Sequence, residues 1–134
     1  MAKILAMMPW NRIGQPMHTT VVEGKDLHIK QFEDTYLAHY SYMVISDGQA
    51  IVVDPERDPH KYYTYAQQHH ATIVGVFNTH PHADFASGHL QIHQDTQAPI
   101  YVSEKVGADY PHVPLKDRQH IMVGRAQMVA YETP

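Results

Sequence analysis

The sequence contains no cysteine among its 134 residues. This absence excludes disulfide bonds, thiolate metal sites and a cysteine nucleophile. Positive charge is also sparse: ten lysine and arginine residues are scattered along the chain, and the formal charge at pH 7 is −4. Because no basic stripe or block of like charge is present, the sequence predicts no nucleic-acid partner and no charged disordered tail.

Long apolar runs are absent as well. No run approaches the roughly 20 residues that a membrane-spanning helix needs. The first ten residues, MAKILAMMPW, contain an apolar run too short for a secretory signal with a cleavage site. We therefore expect one domain without membrane contact, and we predict a cytoplasmic location.

Three motifs of common enzyme classes are missing: the G-x-S-x-G elbow of serine hydrolases, a glycine-rich phosphate loop and a dinucleotide-binding fingerprint. Serine-based hydrolysis and nucleotide chemistry therefore lose support. Histidine, in contrast, is abundant, with twelve copies. This number favours a metal protein, but it also makes any single pair of histidines less informative.

Hydrophobic patterning predicts strands in the first half of the chain. Leu27–Phe32 alternates apolar and polar residues, and Tyr36–Ser46 is a longer run of β-forming residues. Asp47–Gly48 then predicts a hairpin turn before a strand at Gln49–Val53, because both turn positions must tolerate positive φ.

A strand, a helix and a parallel strand follow from the next segments. Asp58–Pro59 is typical of a helix start, and the helix is predicted to run to about His69. Thr72–Phe77 is a nearly continuous apolar run, as in a strand covered on both faces. Ligands of such sheets gather beyond the carboxyl ends of the strands. The segments at those ends are Asp54–Pro55 and Asn78–His80.

The remaining pattern predicts a helix, a strand and a hairpin. His89 and His93 are four residues apart on that helix, without the glutamate of an H-E-x-x-H motif, so we interpret them as ordinary helix-face residues. The predicted bounds are a helix at Phe85–Asp95, a strand at Pro99–Ser103, a loop at Tyr110–Lys116, and a hairpin of His120–Val123 with Ala126–Tyr131.

The segment Thr79–His89, which reads THPHADFASGH, carries the candidate metal ligands. His80 and His82 are two residues apart, so in an extended loop both project to the same side. Imidazole and carboxylate groups suit zinc and iron(II), and Asp84 could join the histidines or bind a neighbouring ion. We therefore predict a metal site at His80, His82 and Asp84.

Each candidate has an alternative role that the sequence leaves open. The two histidines could be surface residues spaced by chance, and Asp84 could cap the helix predicted to start at Phe85. Asp54 could be a turn residue before proline or, with Thr79, a residue that supports a ligand histidine. His39 and Tyr42 could face either the site or the solvent.

A buried strand followed by T-H-x-H-x-D resembles the metallo-β-lactamase superfamily, an αββα sandwich of two similar halves. The closer resemblance is to its persulfide dioxygenase branch. The residues that carry it are Ala38–Tyr42, Val52–Asp58 and Thr79–Gly88. The resemblance implies an α/β (α+β) fold class: the N-terminal half of the sandwich, with a mixed sheet and helices on one face. We divide the chain into an N-terminal arm, residues 1–16, and a partial metallo-β-lactamase-like domain, residues 17–134.

The resemblance bears on the metal through Phe85. Zinc hydrolases of this superfamily usually hold two ions and have histidine at that position. Persulfide dioxygenases hold one iron(II) with the first motif histidine, a later histidine and a later aspartate, which leaves positions open for dioxygen and substrate. The resemblance therefore implies Fe(II), with Zn(II) as the alternative, and His80 as a ligand. It places His82 and Asp84 as ligands or near-site residues, and Asp84 is the candidate catalytic residue.

The resemblance also predicts a truncated domain. The family takes its next histidine from a stretch that resembles T-P-G-H-T, whereas this chain reads Tyr131–Pro134 at its end. Without the second half, we expect an exposed apolar sheet face that favours a homodimer or larger assembly.

Three functions remain open at this point. The first is an iron-dependent persulfide dioxygenase-like protein, which oxidises the small-molecule substrate glutathione persulfide to sulfite and glutathione. The second is a zinc metallo-hydrolase similar to the glyoxalase II thioesterases, in which a zinc-bound water is the nucleophile. The third is an inactive half-domain that acts as a weak metal binder or an assembly unit. Phe85 favours the first function over the second.

Overall fold

The computed structural model describes residues 2–5, 18–24, 26–34, 39–78, 88–103 and 110–132. Within these ranges the chain forms ten strands and two helices. Their bounds are β1 Ala2–Leu5, β2 His18–Gly24, β3 His28–Asp34, β4 His39–Ser46, β5 Gln49–Val53, α1 His60–Gln68, β6 Thr72–Asn78, α2 His89–Thr96, β7 Ile100–Ser103, β8 Val113–Leu115, β9 His120–Val123 and β10 Ala126–Glu132.

The strands form two sheets. One sheet has four antiparallel strands in the order β1-β2-β10-β9. The other has six strands, β3 to β8, which neighbour each other in chain order. Within it β3, β4 and β5 are antiparallel, whereas β5 to β8 run parallel. The predicted mixed sheet is thereby confirmed, and the carboxyl ends of β5 and β6 lie side by side.

The turn between β4 and β5 has the predicted geometry. Asp47 and Gly48 adopt φ values of 47° and 77°, as the tight turns that match strand twist require. The hairpin sets a register in which Tyr42 lies opposite Val53. Tyr42 therefore lies beside the carboxyl end of β5, where the chain leaves the sheet at Asp54.

Both helices pack on one face of the six-stranded sheet, as predicted. Tyr62 and Ala66 of α1 and Ile92 of α2 join strand residues such as Val52 and Ile100 in one apolar core. Tyr62 and Ala66 are four residues apart and therefore lie on one face of α1, whereas α2 contributes Ile92 and the partly buried Leu90. Burying these side chains stabilises each helix on the sheet.

The second face of the six-stranded sheet is covered by the four-stranded sheet. The contact forms an apolar core that includes Val44, Ile51, Val53 and Phe77 on one side and Ile121, Val123, Ala126, Met128 and Ala130 on the other. The expectation of an exposed apolar face is therefore wrong for the described residues, because β9 and β10 of the same chain cover it. The homodimer stays a prediction, but an exposed apolar sheet face no longer supports it.

The elements that differ from the sequence-based boundaries include β1, β2, β8 and the start of α2. Ala2–Leu5, within the predicted arm, forms a strand that pairs with β2. Val113–Leu115, within the predicted loop, forms the parallel edge strand β8, and an edge strand tolerates Pro114. Helix α2 begins at His89 after the N-cap Gly88, not at Phe85. None of the helices in the described ranges has the length and apolarity to cross a membrane; the cytoplasmic location stays a prediction.

Candidate metal centre

The predicted ligand segment falls between Asn78 and Gly88 in the sequence, and these two residues are described by the structure. Thr79, His80, His82 and Asp84 fall outside the described ranges, so their roles as ligands and supporting residues stay predictions. Asn78 ends β6 immediately before this segment. At its other end, Gly88 precedes α2. The described residues next to these two ends are the ones that bear on the predicted site.

Asp54 is the first residue after β5 and is almost fully buried, with 3% of its surface exposed. Its φ of 52° is left-handed, a conformation that aspartate tolerates better than most residues. Its backbone N–H donates to the carbonyl oxygen of Phe77 at 2.9 Å. This bond ties the end of β5 to β6 one residue before Asn78, so a buried carboxyl group lies next to the start of the ligand segment.

Tyr42 lies close to that carboxyl group. It is half-buried on β4, opposite Val53. Burial raises the pKa of Tyr42, and the negative charge of Asp54 raises it further. The phenol of Tyr42 is therefore held neutral beside Asp54, at the site end of the sheet. Whether Tyr42 faces the predicted metal ligands stays a prediction, because those ligands lie outside the described residues.

Tyr62 of α1 holds the loop that follows Asp54. Its hydroxyl oxygen accepts a hydrogen bond from the backbone N–H of Glu56 at 2.7 Å and lies 2.7 Å from Oγ of Ser41. Burial raises the pKa of Tyr62 to about 12, although these two hydrogen bonds act in the opposite direction. A neutral phenol can accept from Glu56 and donate to Ser41 at the same time. Tyr62 thereby fixes the backbone two residues after Asp54.

Gly88 brings the start of α2 against the same loop. A Cβ at this position would lie 2.2 Å from the carbonyl oxygen of Glu56, so only glycine allows the approach. The side chain of Glu56 accepts a hydrogen bond from Lys61 through Oε2, and its buried Oε1 has no hydrogen-bond partner among the described residues. The loop after Asp54 is thus packed between Tyr62 on one side and Gly88 on the other.

Asn78 is a buried polar residue at the end of β6, and its contacts were not predicted from the sequence. It is 1% exposed, and its Nδ2 donates to Oη of Tyr110 at 3.5 Å. Its buried Oδ1 has no hydrogen-bond partner in the described part of the chain. An unmade hydrogen bond of this kind costs about 1–3 kcal/mol. This buried acceptor belongs to the residue that directly precedes the predicted ligand segment in the sequence.

His89 has a different environment from the one predicted. The structure buries it completely at the start of α2, with its ring packed against Tyr110 at a centroid distance of 4.7 Å. The interpretation as an ordinary helix-face residue is therefore wrong for His89. It holds better for His93, which is half-buried and whose Nδ1 lies 2.7 Å from the carbonyl oxygen of Ala98.

The described residues fit the surroundings of a metal and do not supply its ligands. Among them, no group of three histidine, aspartate or glutamate side chains could hold an ion. The imidazoles of His80 and His82 and the carboxylate of Asp84 are donors that suit zinc or iron. The buried Oδ1 of Asn78 and the buried carboxyl group of Asp54 are acceptors of the kind that orient a ligand histidine through its second ring nitrogen.

Comparison with known families agrees with this arrangement. Residues 34–126 match the family model described as the metallo-beta-lactamase superfamily. The chain belongs to the metallo-β-lactamase superfamily. Members of this superfamily bind zinc or iron, which fits the donor types of the predicted ligand segment.

Relatives of this metallo-β-lactamase-like chain include enzymes and solved structures. It is 42% identical over 72 residues to the cytoplasmic hydroxyacylglutathione hydrolase of Arabidopsis thaliana, a match covering 52% of this chain and 26% of that protein. A metallo-beta-lactamase from Staphylococcus aureus subsp. aureus COL matches with a TM-score of 0.68 and 32% identity, over 75% of this chain and 32% of that one. ETHE1 from Myxococcus xanthus matches with a TM-score of 0.66 and 25% identity, over 72% and 44%. The chain therefore spans less than half the length of each of these relatives.

Proposed function

We propose that this chain carries the N-terminal metal-binding part of a persulfide dioxygenase-like protein, with His80 as a ligand of iron(II). The observation that carries the proposal is Phe85, which follows the H-x-H-x-D motif where the resembling dinuclear zinc hydrolases have histidine. A phenyl ring donates no lone pair to a metal, so the motif favours one ion over two. The structural similarity to ETHE1 supports the same branch of the superfamily.

In the proposed reaction, glutathione persulfide, dioxygen and water give sulfite, glutathione and two protons. The terminal sulfur is oxidised and dioxygen is reduced, so no further oxidant is needed. When bound, iron(II) supplies coordination positions that are open to dioxygen and to the persulfide sulfur.

The residues of this chain would orient the ligand histidines and the substrate and would exclude bulk water. Asp54 and Asn78, both buried, would accept hydrogen bonds from ligand histidines and so fix their ring orientation. Tyr42 has a raised pKa and would stay a neutral phenol that donates a hydrogen bond to an anionic persulfide. The two apolar cores behind β5 and β6 would keep bulk water from the back of the site.

A zinc thioesterase is the second candidate, and it is favoured by the 42% identity to the hydroxyacylglutathione hydrolase of Arabidopsis thaliana. In that chemistry, the metal lowers the pKa of a bound water to about 7. Phe85 opposes this candidate for the reason given above.

The two candidates separate in one comparison of the purified protein. One sample is loaded anaerobically with iron(II) and assayed for oxygen uptake and sulfite formation with glutathione persulfide. The other is loaded with zinc and assayed for hydrolysis of a hydroxyacylglutathione thioester. Oxygen uptake matched by sulfite and lost in His80→Ala is the expected result. Thioester hydrolysis without oxygen uptake would contradict the proposal in favour of the zinc enzyme.

A further inference from the structure

Tyr110 contacts both ends of the segment that carries the predicted ligands. Asn78 is the last described residue before that segment, and its Nδ2 lies 3.5 Å from Oη of Tyr110. His89 is the first residue of α2 behind the segment, and its ring lies 4.7 Å from the Tyr110 ring, inclined by 48°. Asn78 and His89 are 1% and 0% exposed, whereas Tyr110 is half-buried.

Tyr110 is itself anchored to the sheet. Its carbonyl oxygen lies 2.8 Å from Nδ1 of His112, and its ring meets the His112 ring edge-on at 5.9 Å. Three residues after Tyr110 the chain enters β8, which pairs with β7. The Tyr110 ring also packs against the apolar core beneath the helices. Tyr110 is therefore a side chain held by the sheet that reaches the two ends of a neighbouring segment.

We propose that Tyr110 is a positioning residue of the metal centre, which holds the start and the end of the ligand segment at a fixed separation. Fixing both ends of a loop removes conformations that would separate its ligands. The Tyr110 ring holds the end at His89 by packing, and the hydroxyl holds the end at Asn78 by its polar contact. The inference rests on the proposed metal site at His80, but it concerns residues that bind no metal themselves.

Ordinary packing is the competing explanation, since a buried ring stabilises a core wherever it lies. The two explanations differ in what a substitution changes. If Tyr110 only fills space, its loss lowers the thermal stability of the metal-free protein and leaves the geometry of the bound metal unchanged. If Tyr110 positions the ligand segment, its loss also weakens metal binding and alters the ligand field.

The experiment uses cobalt(II) as the probe, because its visible absorption reports coordination geometry and its titration gives an affinity. Wild type, Tyr110→Phe and Tyr110→Leu are titrated with cobalt(II), and the unfolding temperature of each metal-free protein is measured. Tyr63→Phe is the matched control. It removes a phenol hydroxyl that donates to Asp95 at 2.7 Å, on the exposed side of the helices.

Tyr110→Leu removes both contacts, and we expect its cobalt(II) affinity to fall by about 10- to 100-fold with a changed absorption spectrum, as for other groups that orient metal ligands. Tyr110→Phe keeps the ring and removes the contact between the hydroxyl and Asn78, and its affinity should fall about threefold, the size expected for one hydrogen bond. Tyr63→Phe should match wild type.

If Tyr110→Leu keeps the cobalt(II) affinity and the absorption spectrum of wild type, the inference is overturned, even if its unfolding temperature is lower. If Tyr110→Leu does not fold, Tyr110→Phe decides alone, and an unchanged affinity would overturn the inference. A wild-type protein that binds no cobalt(II) would overturn the proposed metal site itself, which is a separate result from a failure of Tyr110.

Discussion

Gly88 and Glu56 are so close that no side chain fits between them: a Cβ on Gly88 would lie 2.2 Å from the Glu56 carbonyl oxygen. This contact joins the start of α2 to the loop behind Asp54. The loop follows β5, and α2 is the next described element after β6. The contact therefore places the start of α2 beside the loop that follows β5.

The Gly88→Ala substitution should destabilise the protein by about 1–3 kcal/mol or more, because the methyl group meets backbone rather than a movable side chain. Urea unfolding measures the change. Gly75→Ala is the control, since its Cβ would lie 3.0 Å from a ring atom of Tyr101, which can shift. An equal or larger loss in Gly75→Ala would show that the close approach at Gly88 is not a constraint.

Tyr62→Phe tests the hydrogen bonds behind the Asp54 loop. The substitution leaves the buried N–H of Glu56 and the hydroxyl of Ser41 without the phenol oxygen, which lies 2.7 Å from each. We expect a loss of about 1–3 kcal/mol at neutral pH. Tyr63→Phe, which removes an exposed hydrogen bond to Asp95, should cost less, and a reversal of this order would contradict the assignment.

The same residue predicts a dependence of stability on alkaline pH. The pKa of Tyr62 is raised to about 12 in the folded protein, against about 10 in an unfolded chain. Above pH 10 the unfolded state loses this proton first, so the contribution is complete below about pH 10 and is lost as the pH rises towards 12. Wild-type stability should fall over this range more steeply than that of Tyr62→Phe, by up to about 1.4 kcal/mol per pH unit. Parallel curves would refute a buried neutral phenol.

Asp54→Asn tests the buried carboxyl group without changing the backbone, because asparagine also tolerates the left-handed φ of 52°. Removing the negative charge should lower the pKa of Tyr42, which Asp54 raises, and tyrosinate absorption during an alkaline titration measures it. Metal affinity should fall by about 10- to 100-fold if Asp54 orients a ligand. Asp58→Asn, at an exposed carboxylate beside His60, is the control that should leave both quantities unchanged.

Phe85→His tests whether the lack of a metal-binding side chain at position 85 limits the site to a single ion. The substitution restores the donor that Phe85 replaces, so we expect the zinc content after reconstitution to rise from at most one ion towards two per chain. Phe85→Leu alters the same position without adding a donor and should keep the wild-type content. A zinc content that is equal in both variants would mean that position 85 does not decide the number of ions.

Local sequence signals predicted most of the β4 to β6 region. Asp47–Gly48 fixed the hairpin because few residue pairs tolerate two positive φ values, and Thr72–Phe77 was recognised by its apolar run. The edge strand β8 was missed since Pro111 and Pro114 favour a loop, although an edge strand tolerates proline. The β-forming propensity of residues 113–115 does not indicate that β7 lies beside them as a parallel partner strand.

Residues around the candidate centre were harder to predict, because their roles depend on contacts between distant parts of the chain. Nothing near Tyr110 indicates that its ring meets His89 and its hydroxyl meets Asn78. Gly88 resembles any glycine before a helix until Glu56 is placed against it. The apolar run Thr72–Phe77 ends directly before Asn78. The end of this run is the local signal that predicted the carboxyl end of β6, next to the candidate centre.

The proposed metal site depends on His80 as the residue that anchors the ion in this chain. Elemental analysis of the tag-free protein after anaerobic incubation with iron(II) and removal of unbound metal tests it most directly, with His80→Ala and His120→Ala measured beside wild type. His120 is an exposed residue of β9, with Nδ1 3.1 Å from Oε1 of Gln127. We expect iron in wild type and His120→Ala and its loss in His80→Ala. Equal iron in all three proteins, or none in wild type, would contradict the account.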